Sequence, residues 1–209
     1  VGQPVRHRAR EDGIELRAVF KQLSTVFGTA DRTKSIDMSD RFEYEVAAYR
    51  LDRQLGLGLV PVTVEREVQG QRGVLQGRPL KWVSQADVQR QSLSGGGWCS
   101  TEPQFQLVYA FDTLIGNEGR APESLLFDSS AWYVYVTAHD RAFGSTKSLP
   151  AYLKARPPSP GAELRRRAAA LNEDNLATSL GELVDAKGRK AILQRRDARR
   201  PFARYRSST

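Results

Sequence analysis

The first third of the chain alternates apolar and polar residues in the manner of β-strands. Two extended runs, 5–10 and 14–23, are joined by Glu-Asp-Gly, and Asp-Gly between alternating runs predicts a hairpin. Runs at 60–68 and 72–76, joined through Gln-Gly, predict a second hairpin. These two hairpins place most of the predicted sheet in the first third of the chain.

Helical periodicity appears first at 41–55, where apolar residues recur every three to four positions and charges occupy the opposite face. Ser39 or Asp40 is the candidate N-cap, and Gly56 follows the last apolar residue as a stop signal. Residues 104–116 predict an apolar helix. Three closing helices are predicted at 161–171, 172–183 and 187–200.

Polar segments separate these elements and predict loops. The loops lie at 24–40, 92–101, 117–124 and 144–160, and short strands are predicted at 125–128 and 132–136. A mostly β half therefore precedes a mostly helical half. This order predicts an α+β fold in a single domain of 209 residues, with a β-rich N-lobe at 1–83 and a helical C-lobe at 84–209.

Arginine dominates the basic excess of the chain. Thirty-two Lys and Arg residues against 24 Asp and Glu give a net charge of +8, and the excess is greatest near the C-terminus. There the arginines alternate with Leu, Ala and Ile at helical spacing, which favours a solvated helical face. Binding of nucleic acid or anionic lipid is the alternative that a basic surface raises. Nucleic acid ranks last, because no basic motif interleaved with aromatic residues is present.

Cysteine and histidine are too few for several classes of site. Cys99 is the only cysteine, which excludes an intrachain disulfide and a multi-cysteine zinc site. His7 and His139 are the only histidines, so a histidine metal cluster or a Ser-His-Asp triad lacks material. No run of 18 apolar residues predicts a transmembrane helix. We expect a soluble protein, cytoplasmic rather than secreted, with a removed signal peptide left open because the chain begins at Val1.

Four segments, in order along the chain, resemble a known group of enzymes. They are Phe20-Lys21, residues 43–52 (EYEVAAYRLD), Leu59-Val60-Pro61 and residues 111–117 (FDTLIGN). The chain resembles bacterial members of the atypical kinase group, which includes the phosphoinositide 3/4-kinase-like, HipA-toxin-like and Golgi secretory-kinase-like families. The resemblance covers nearly the whole chain. It implies a two-lobed protein-kinase-like fold whose first strand is partly missing.

The resemblance assigns a nucleotide-binding role to two residues. In such enzymes a strand lysine holds the nucleotide phosphates, and a glutamate on the following helix orients that lysine. Lys21 and Glu45 match these positions. Taken without the resemblance, they would be an ordinary strand-end lysine and a helix-surface glutamate.

The catalytic segment of the group departs from its usual form in this sequence. The group usually has Ile-Gly-Asn-x-Asp-Arg-x-x-x-Asn-x-Leu, in which the aspartate orients the acceptor hydroxyl and the second asparagine binds metal. Asn117 and Arg120 fix the alignment, and Gly119 then stands in place of the aspartate. Ser124 stands in place of the asparagine. Glycine cannot accept a proton through a side chain, and serine is a poor Mg²⁺ ligand beside a carboxylate.

The metal-binding aspartate of the group is also replaced. It normally occurs in a run like Ile-Asp-His-x-Arg-Ala-Phe, and here His139 and Arg141 match while Ala138 replaces the aspartate. Three coincident losses argue against ordinary metal-dependent phosphoryl transfer. The resemblance therefore implies a pseudokinase that acts by binding, with another protein as partner, and that binds ATP weakly or not at all.

A divergent but active transferase is the alternative. It would move phosphoryl or nucleotidyl groups from ATP with Mg²⁺ or Mn²⁺, and would need carboxylates displaced from the usual positions. Glu118 adjoins Gly119, and Asp140 lies two residues beyond Ala138, where a strand residue would share its face. These two carboxylates are the candidate catalytic residues of that alternative.

Overall fold

A computed structural model of the protein describes residues 5–11, 14–21, 24–26, 39–94, 100–198 and 202. Its strands are β1 (Val5–Glu11), β2 (Ile14–Lys21), β3 (Ser24–Val26), β4 (Ser39–Arg41), β5 (Thr63–Val68), β6 (Gln71–Arg78), β7 (Trp82–Ser84), β8 (Leu125–Asp128) and β9 (Val134–Val136). Its helices are α1 (Glu43–Leu55), α2 (Gln85–Gln91), α3 (Thr101–Ile115), α4 (Ala162–Ala169), α5 (Glu173–Leu180) and α6 (Ala186–Asp197). Single 3₁₀ turns lie at Pro122–Ser124, Ala151–Leu153 and Gly181–Leu183.

Both predicted hairpins are confirmed and build one antiparallel sheet. The strand order is β1-β2-β6-β5, so β2 and β6 are the central strands. Gln69 and Gly70 connect β5 to β6, and both have positive φ, 53° and 75°. Positive φ at both central residues is the type I′ geometry, whose twist matches that of the flanking strands. The Asp12-Gly13 turn of the first hairpin lies outside the described residues.

The predicted loop at 24–40 is wrong at its two ends. β3 and β4 pair as a short antiparallel ladder, with Ser24 opposite Arg41 and Val26 opposite Ser39. The predicted N-cap is wrong for the same reason, because Ser39 and Asp40 belong to β4. Phe42 is the N-cap of α1 and makes no capping bond through its side chain.

Helix α1 lies between the N-terminal sheet and the C-terminal helices. It contacts β5 and β6 on one side and α4 and α5 on the other. Its predicted end is confirmed, because Gly56 takes the left-handed conformation with φ of 62° and its N–H bonds to the carbonyls of Asp52 and Arg53. Leu51 and Leu55 are fully buried in the core. The helix therefore fixes the sheet against the helical part.

A second sheet forms in the helical part. Its order is β7-β8-β9, and the predicted strands near residues 125–136 are confirmed as β8 and β9. β7 pairs with β8, so residues 79–81 connect the two sheets. Helix α2 follows β7 and was missed, because its sequence has little apolar periodicity. A reciprocal capping box between Ser84 and Asp87 marks its start.

Helix α3 is the centre of the helical part. Phe111, Leu114 and Ile115 are completely buried, and the helix contacts both β9 and α6. The closing helices are confirmed in number and place, although each is shorter than its periodicity predicted. None of the described helices is long and apolar enough to cross a membrane.

The arginine-rich helices match their predicted solvated face only in part. Arg166 and Arg167 on α4 pair with Glu163 of the same helix, and Arg189 on α6 pairs with Glu173. Arg195 contradicts the prediction, because it is only 1% exposed and lies in the core beneath α3. Helical spacing alone could not separate this buried arginine from its solvated neighbours.

Candidate functional site

The structure brings Lys21 and Glu45 together where the two parts of the protein meet. Lys21 is the last residue of β2, and Glu45 lies in the first turn of α1. Lys21 Nζ is 2.6 Å from Glu45 Oε1. The lysine side chain is 23% exposed and the glutamate only 1%. The cation therefore borders solvent while its partner is buried.

Glu45 also joins the sheet to the C-terminal part through its other contacts. Gln76 Nε2 on β6 donates to Glu45 Oε2 at 3.1 Å. The backbone N–H of His139 donates to Glu45 Oε1 at 3.1 Å, and His139 Nδ1 lies 2.9 Å from Glu45 Oε2. Burial alone would raise the pKa of Glu45, but the charge of Lys21 and the hydrogen bond from His139 hold that pKa well below its ordinary value. Glu45 is therefore a buried carboxylate that accepts from three elements.

His139 is held in one orientation by this carboxylate. An ionised carboxylate can only accept, so Nδ1 carries the proton in the bond to Glu45. His139 is completely buried, and its ring meets Phe111 edge-on with the centroids 6.2 Å apart. Within the described structure, Nε2 has no hydrogen-bond partner. The geometry makes His139 a positioning residue between the two lobes, without access to a substrate.

A second buried ion pair, Asp112 with Arg120, organises the polar turn after α3. Arg120 Nε lies 2.8 Å from Asp112 Oδ2, and Arg120 Nη2 lies 2.6 Å from Asp112 Oδ1. Both side chains are at most 2% exposed. Burial would raise the pKa of Asp112, but the Arg120 charge and its bidentate bonds lower it. Sequence reasoning missed Asp112, and the only signal was a carboxylate on the apolar face of a helix.

Two further donors complete the environment of Asp112. Tyr152 donates its hydroxyl to Asp112 Oδ2 at 2.6 Å, and Asn117 Nδ2 donates to Asp112 Oδ1 at 3.1 Å. Burial and the neighbouring carboxylate raise the pKa of Tyr152. Tyr152 comes from the proline-rich segment that the sequence predicted as a loop. The matched residue Asn117 thus holds a carboxylate of its own chain.

Arg120 also bonds to the position where the group has its metal-binding asparagine. Arg120 Nη1 donates to Ser124 Oγ at 3.2 Å and to the carbonyl of Thr137. Ser124 Oγ in turn donates to the carbonyl of Ala121 at 2.7 Å. The Ser124 hydroxyl therefore both donates and accepts a hydrogen bond within the protein.

The backbone at the other two replaced positions, Gly119 and Ala138, could accommodate an aspartate. A Cβ added to Gly119 would meet Arg141 Cδ at 3.5 Å, which is ordinary van der Waals contact. Ala138 has a φ of 62°, in the left-handed region that alanine adopts at a cost and that Asp or Asn adopts more readily. The backbone at both positions would therefore accept an aspartate.

The structure does not gather Glu118 and Asp140 into a metal site. Glu118 is exposed, and its Oε2 accepts a bond from the N–H of Ala151 at 2.9 Å. Asp140 is half-buried, and its carbonyl accepts from the N–H of Arg41 at 3.2 Å. Across the described ranges, no group of three or more His, Cys, Asp or Glu side chains is placed to hold a metal ion. The residues present therefore do not fit a metal ion held as in the group's usual site.

Arg195 holds the end of α3, directly before the polar turn. Its guanidinium donates to the carbonyl of Leu114 at 2.9 Å and to those of Gly144 and Thr146 at 3.1 and 2.6 Å. Burial lowers the pKa of Arg195 to about 10. Among the described groups, its Nη2 has no hydrogen-bond partner. One buried cation thus ties the end of α3 to the segment after residue 143.

We expect Gly116→Ala to destabilise the protein by about 1–3 kcal/mol. Gly116 has a φ of 66°, and an added Cβ would lie 2.9 Å from both Cζ and Nη1 of Arg195. A left-handed alanine costs about 1–2 kcal/mol before any clash is counted. Gly144→Ala is the matched control, because an added Cβ there meets nothing within 4 Å. Equal urea midpoints for the two variants would contradict this account of the turn.

Comparison with known proteins supports the fold and leaves the family open. No protein-family model and no curated protein matches the chain. The structure of Hydra Fam20 with sugar aligns with a TM-score of 0.54 at 13% identity, over 92% of this chain and 78% of that one. The Golgi casein kinase with Mn/ADP bound aligns with a TM-score of 0.54 at 14% identity, over 94% of this chain and 68% of that one.

A second structure of the Golgi casein kinase gives a TM-score of 0.52 at 14% identity, over 92% of this chain and 70% of that one. The predicted fold class is confirmed: the chain has the two-lobed kinase-like fold of the Fam20 and Golgi casein kinase structures. Identities this low show a fold and no activity. Bacterial origin and membership of a particular family stay predictions.

Proposed function

We propose that the protein is a pseudokinase, a kinase-like module that acts by binding another protein and does not transfer phosphate. The observation that carries the proposal is the polar turn after α3. Gly119, Ser124 and Ala138 replace the three metal-binding and catalytic residues of the group, and Arg120 bonds to the hydroxyl of Ser124. The Ser124 hydroxyl is thus already bonded within the protein, and serine is a poor Mg²⁺ ligand beside a carboxylate.

One difference between this chain and the similar solved structures supports the proposal. One Golgi casein kinase structure was determined with Mn and ADP bound. In this chain Lys21 and Glu45 form the expected pair, which is the part of a nucleotide site that needs no metal. We infer that the module keeps the lobe arrangement of an active kinase while lacking the ligands for its metal.

A titration with ATP, with and without Mn²⁺, tests the proposal and has an internal positive control. The wild-type protein is expected to show no thermal stabilisation by Mn²⁺ and ATP beyond that given by ATP alone. Gly119→Asp/Ala138→Asp restores two carboxylates at positions whose backbone accepts them. Ligand at about 100 times its Kd should raise the melting temperature of the double variant by roughly 5–10 °C.

Incubation with labelled ATP separates the proposal from the active alternative. The proposal expects no labelled product with Mg²⁺ or Mn²⁺. A product that wild type forms and that Glu118→Gln or Asp140→Asn abolishes would overturn it. That result would assign a displaced metal site to the two carboxylates.

A further inference from the structure

A row of arginines crosses the N-terminal sheet at the end nearest the segment that joins the two sheets. Arg17 on β2 stands opposite Arg8 on β1 and opposite Arg78 on β6. Like charges directly opposite in a sheet repel each other, so the Arg17–Arg78 pair destabilises the sheet unless something offsets it. The register therefore concentrates positive charge at one place.

Arg17 and Arg78 lie on the face of the sheet that also carries Gln76. Residues directly opposite in an antiparallel sheet share a face, and residues two apart in a strand return to that face. Arg78 therefore shares the face of Gln76, and Gln76 donates to the buried carboxylate of Glu45. Lys21 is four residues from Arg17 along β2, about 13 Å away. Arg17 and Arg78 thus lie on the same face of the sheet as Lys21, toward the opposite end of β2.

Arg78 has no carboxylate partner among the described residues. Its guanidinium donates to Gln76 Oε1 at 2.8 Å and to the carbonyl of Gly77 at 3.3 Å. Among the described side chains, no carboxylate forms an ion pair with it. Burial lowers the pKa of Arg78, and only the more distant charge of Glu45 opposes that effect. A half-buried cation without a counter-ion lowers its free energy when an anion binds.

Residues 79–81, which connect the two sheets, are poorly suited to form hydrogen bonds with a neutral nucleobase. Pro79 has no N–H to donate. The carbonyl of Leu80 accepts from Arg17 Nη1 at 2.9 Å, and that of Gly77 accepts from Arg78. Guanidinium groups here use backbone acceptors that a ligand would otherwise contact. The surface around Arg17 and Arg78 is charged, whereas a neutral base would prefer apolar walls.

We propose that Arg17 and Arg78 form a binding site for a small anionic ligand that carries phosphate or sulfate groups, held directly and without a metal ion. Each planar guanidinium presents a fork of donors that matches the oxygens of such groups. The site does not depend on catalytic inactivity, so it goes beyond the proposed function. The proposal places an acidic ligand at Arg17 and Arg78, toward the opposite end of β2 from Lys21.

Calorimetry with tripolyphosphate in a chelator-containing buffer of fixed ionic strength tests the site. We expect the wild-type protein to bind tripolyphosphate, and Arg78→Gln and Arg17→Gln each to weaken binding by about tenfold or more. Arg66→Gln is the matched control, because Arg66 lies exposed on β5 of the same sheet. Sulfate and adenosine are run in parallel, and adenosine is expected not to bind. ATP that binds no tighter than tripolyphosphate would show that the base adds nothing.

Several results would contradict the proposed anion site. They are no binding of tripolyphosphate or sulfate, equal weakening by Arg66→Gln, and adenosine that competes with tripolyphosphate. Misfolding is separated by the unliganded melting of Arg78→Gln: a variant that still unfolds cooperatively but no longer binds tripolyphosphate supports the site, and one that binds it as the wild type does overturns the site. Failure here leaves the pseudokinase proposal intact, since that proposal is tested only in the presence of metal and ATP.

Discussion

Arg120→Met is expected to lower the free energy of unfolding by roughly 3–5 kcal/mol, measured by urea denaturation. The variant leaves Asp112 buried without its cation, and removing one partner of a buried ion pair is far more costly than removing both. It also removes the donors to Ser124 Oγ and to the carbonyl of Thr137. A loss this large would mean that the polar turn is held by the Arg120 pair.

The double variant Asp112→Asn/Arg120→Met separates a buried charge from a packing defect. Asparagine keeps polar contacts to Tyr152 and Asn117 while removing the negative charge, so the double variant is expected to recover at least half of the loss. If it is as unstable as Arg120→Met alone, the uncompensated charge is not the cause.

The pH dependence of the stability of Arg120→Met tests independently whether the buried charge of Asp112 causes the loss. In the wild type the pKa of Asp112 is lowered, so its contribution is complete above the ordinary carboxyl range, near 4, and is lost as the pH falls. Without Arg120, burial would raise that pKa, and the variant would gain stability as the pH falls. The difference between variant and wild type is therefore expected to shrink with acidification.

Glu45→Ala is expected to be similarly destabilising, by roughly 3–5 kcal/mol, because it removes the acceptor of several buried donors at once. Lys21, Gln76 and His139 all bond to this carboxylate, and two of the three are completely buried. An unsatisfied buried donor costs about 1–3 kcal/mol. Urea denaturation measures the loss.

Glu43→Gln is the matched control for Glu45. It lies two residues earlier in the same helical turn, and its buried Oε2 has no partner among the described atoms. Its free energy of unfolding should change little. Because the pKa of Glu45 is lowered, the wild type should also lose stability below about pH 4, and Glu45→Ala should lose less over that range. A Glu45→Ala variant as stable as Glu43→Gln would show that the network contributes nothing.

The sequence predicted the elements well where local chemistry decided the structure. The turn at Gln69-Gly70 and the helix stop at Gly56 depend on backbone preferences that neighbouring residues reveal. The expected meeting of Lys21 with Glu45 came from the resemblance, because no local pattern joins residues 24 positions apart. The nucleotide-binding role of this pair stays a prediction.

The sequence could not predict which polar side chains are buried or which groups they bond to. Asp112 and Arg195 carry ordinary helical spacing, yet both are buried: Asp112 pairs with Arg120 of the polar turn, and Arg195 bonds to the end of α3. Their role depends on packing between distant segments, which periodicity does not encode. The arginine row likewise depends on strand register, which the alternating pattern fixes only once the pairing is known.

The attachment of His139 to Glu45 has a mechanical consequence. One carboxylate joins the sheet, the first helix and the C-terminal part, so separating the lobes would break the bonds from both His139 donors, and swinging α1 outward would also break those from Lys21 and Gln76. Loss of the lysine–glutamate pair by an outward swing of α1 would therefore also break the contact of Glu45 with His139. These bonds favour one arrangement of the two lobes, and they need no bound nucleotide to form.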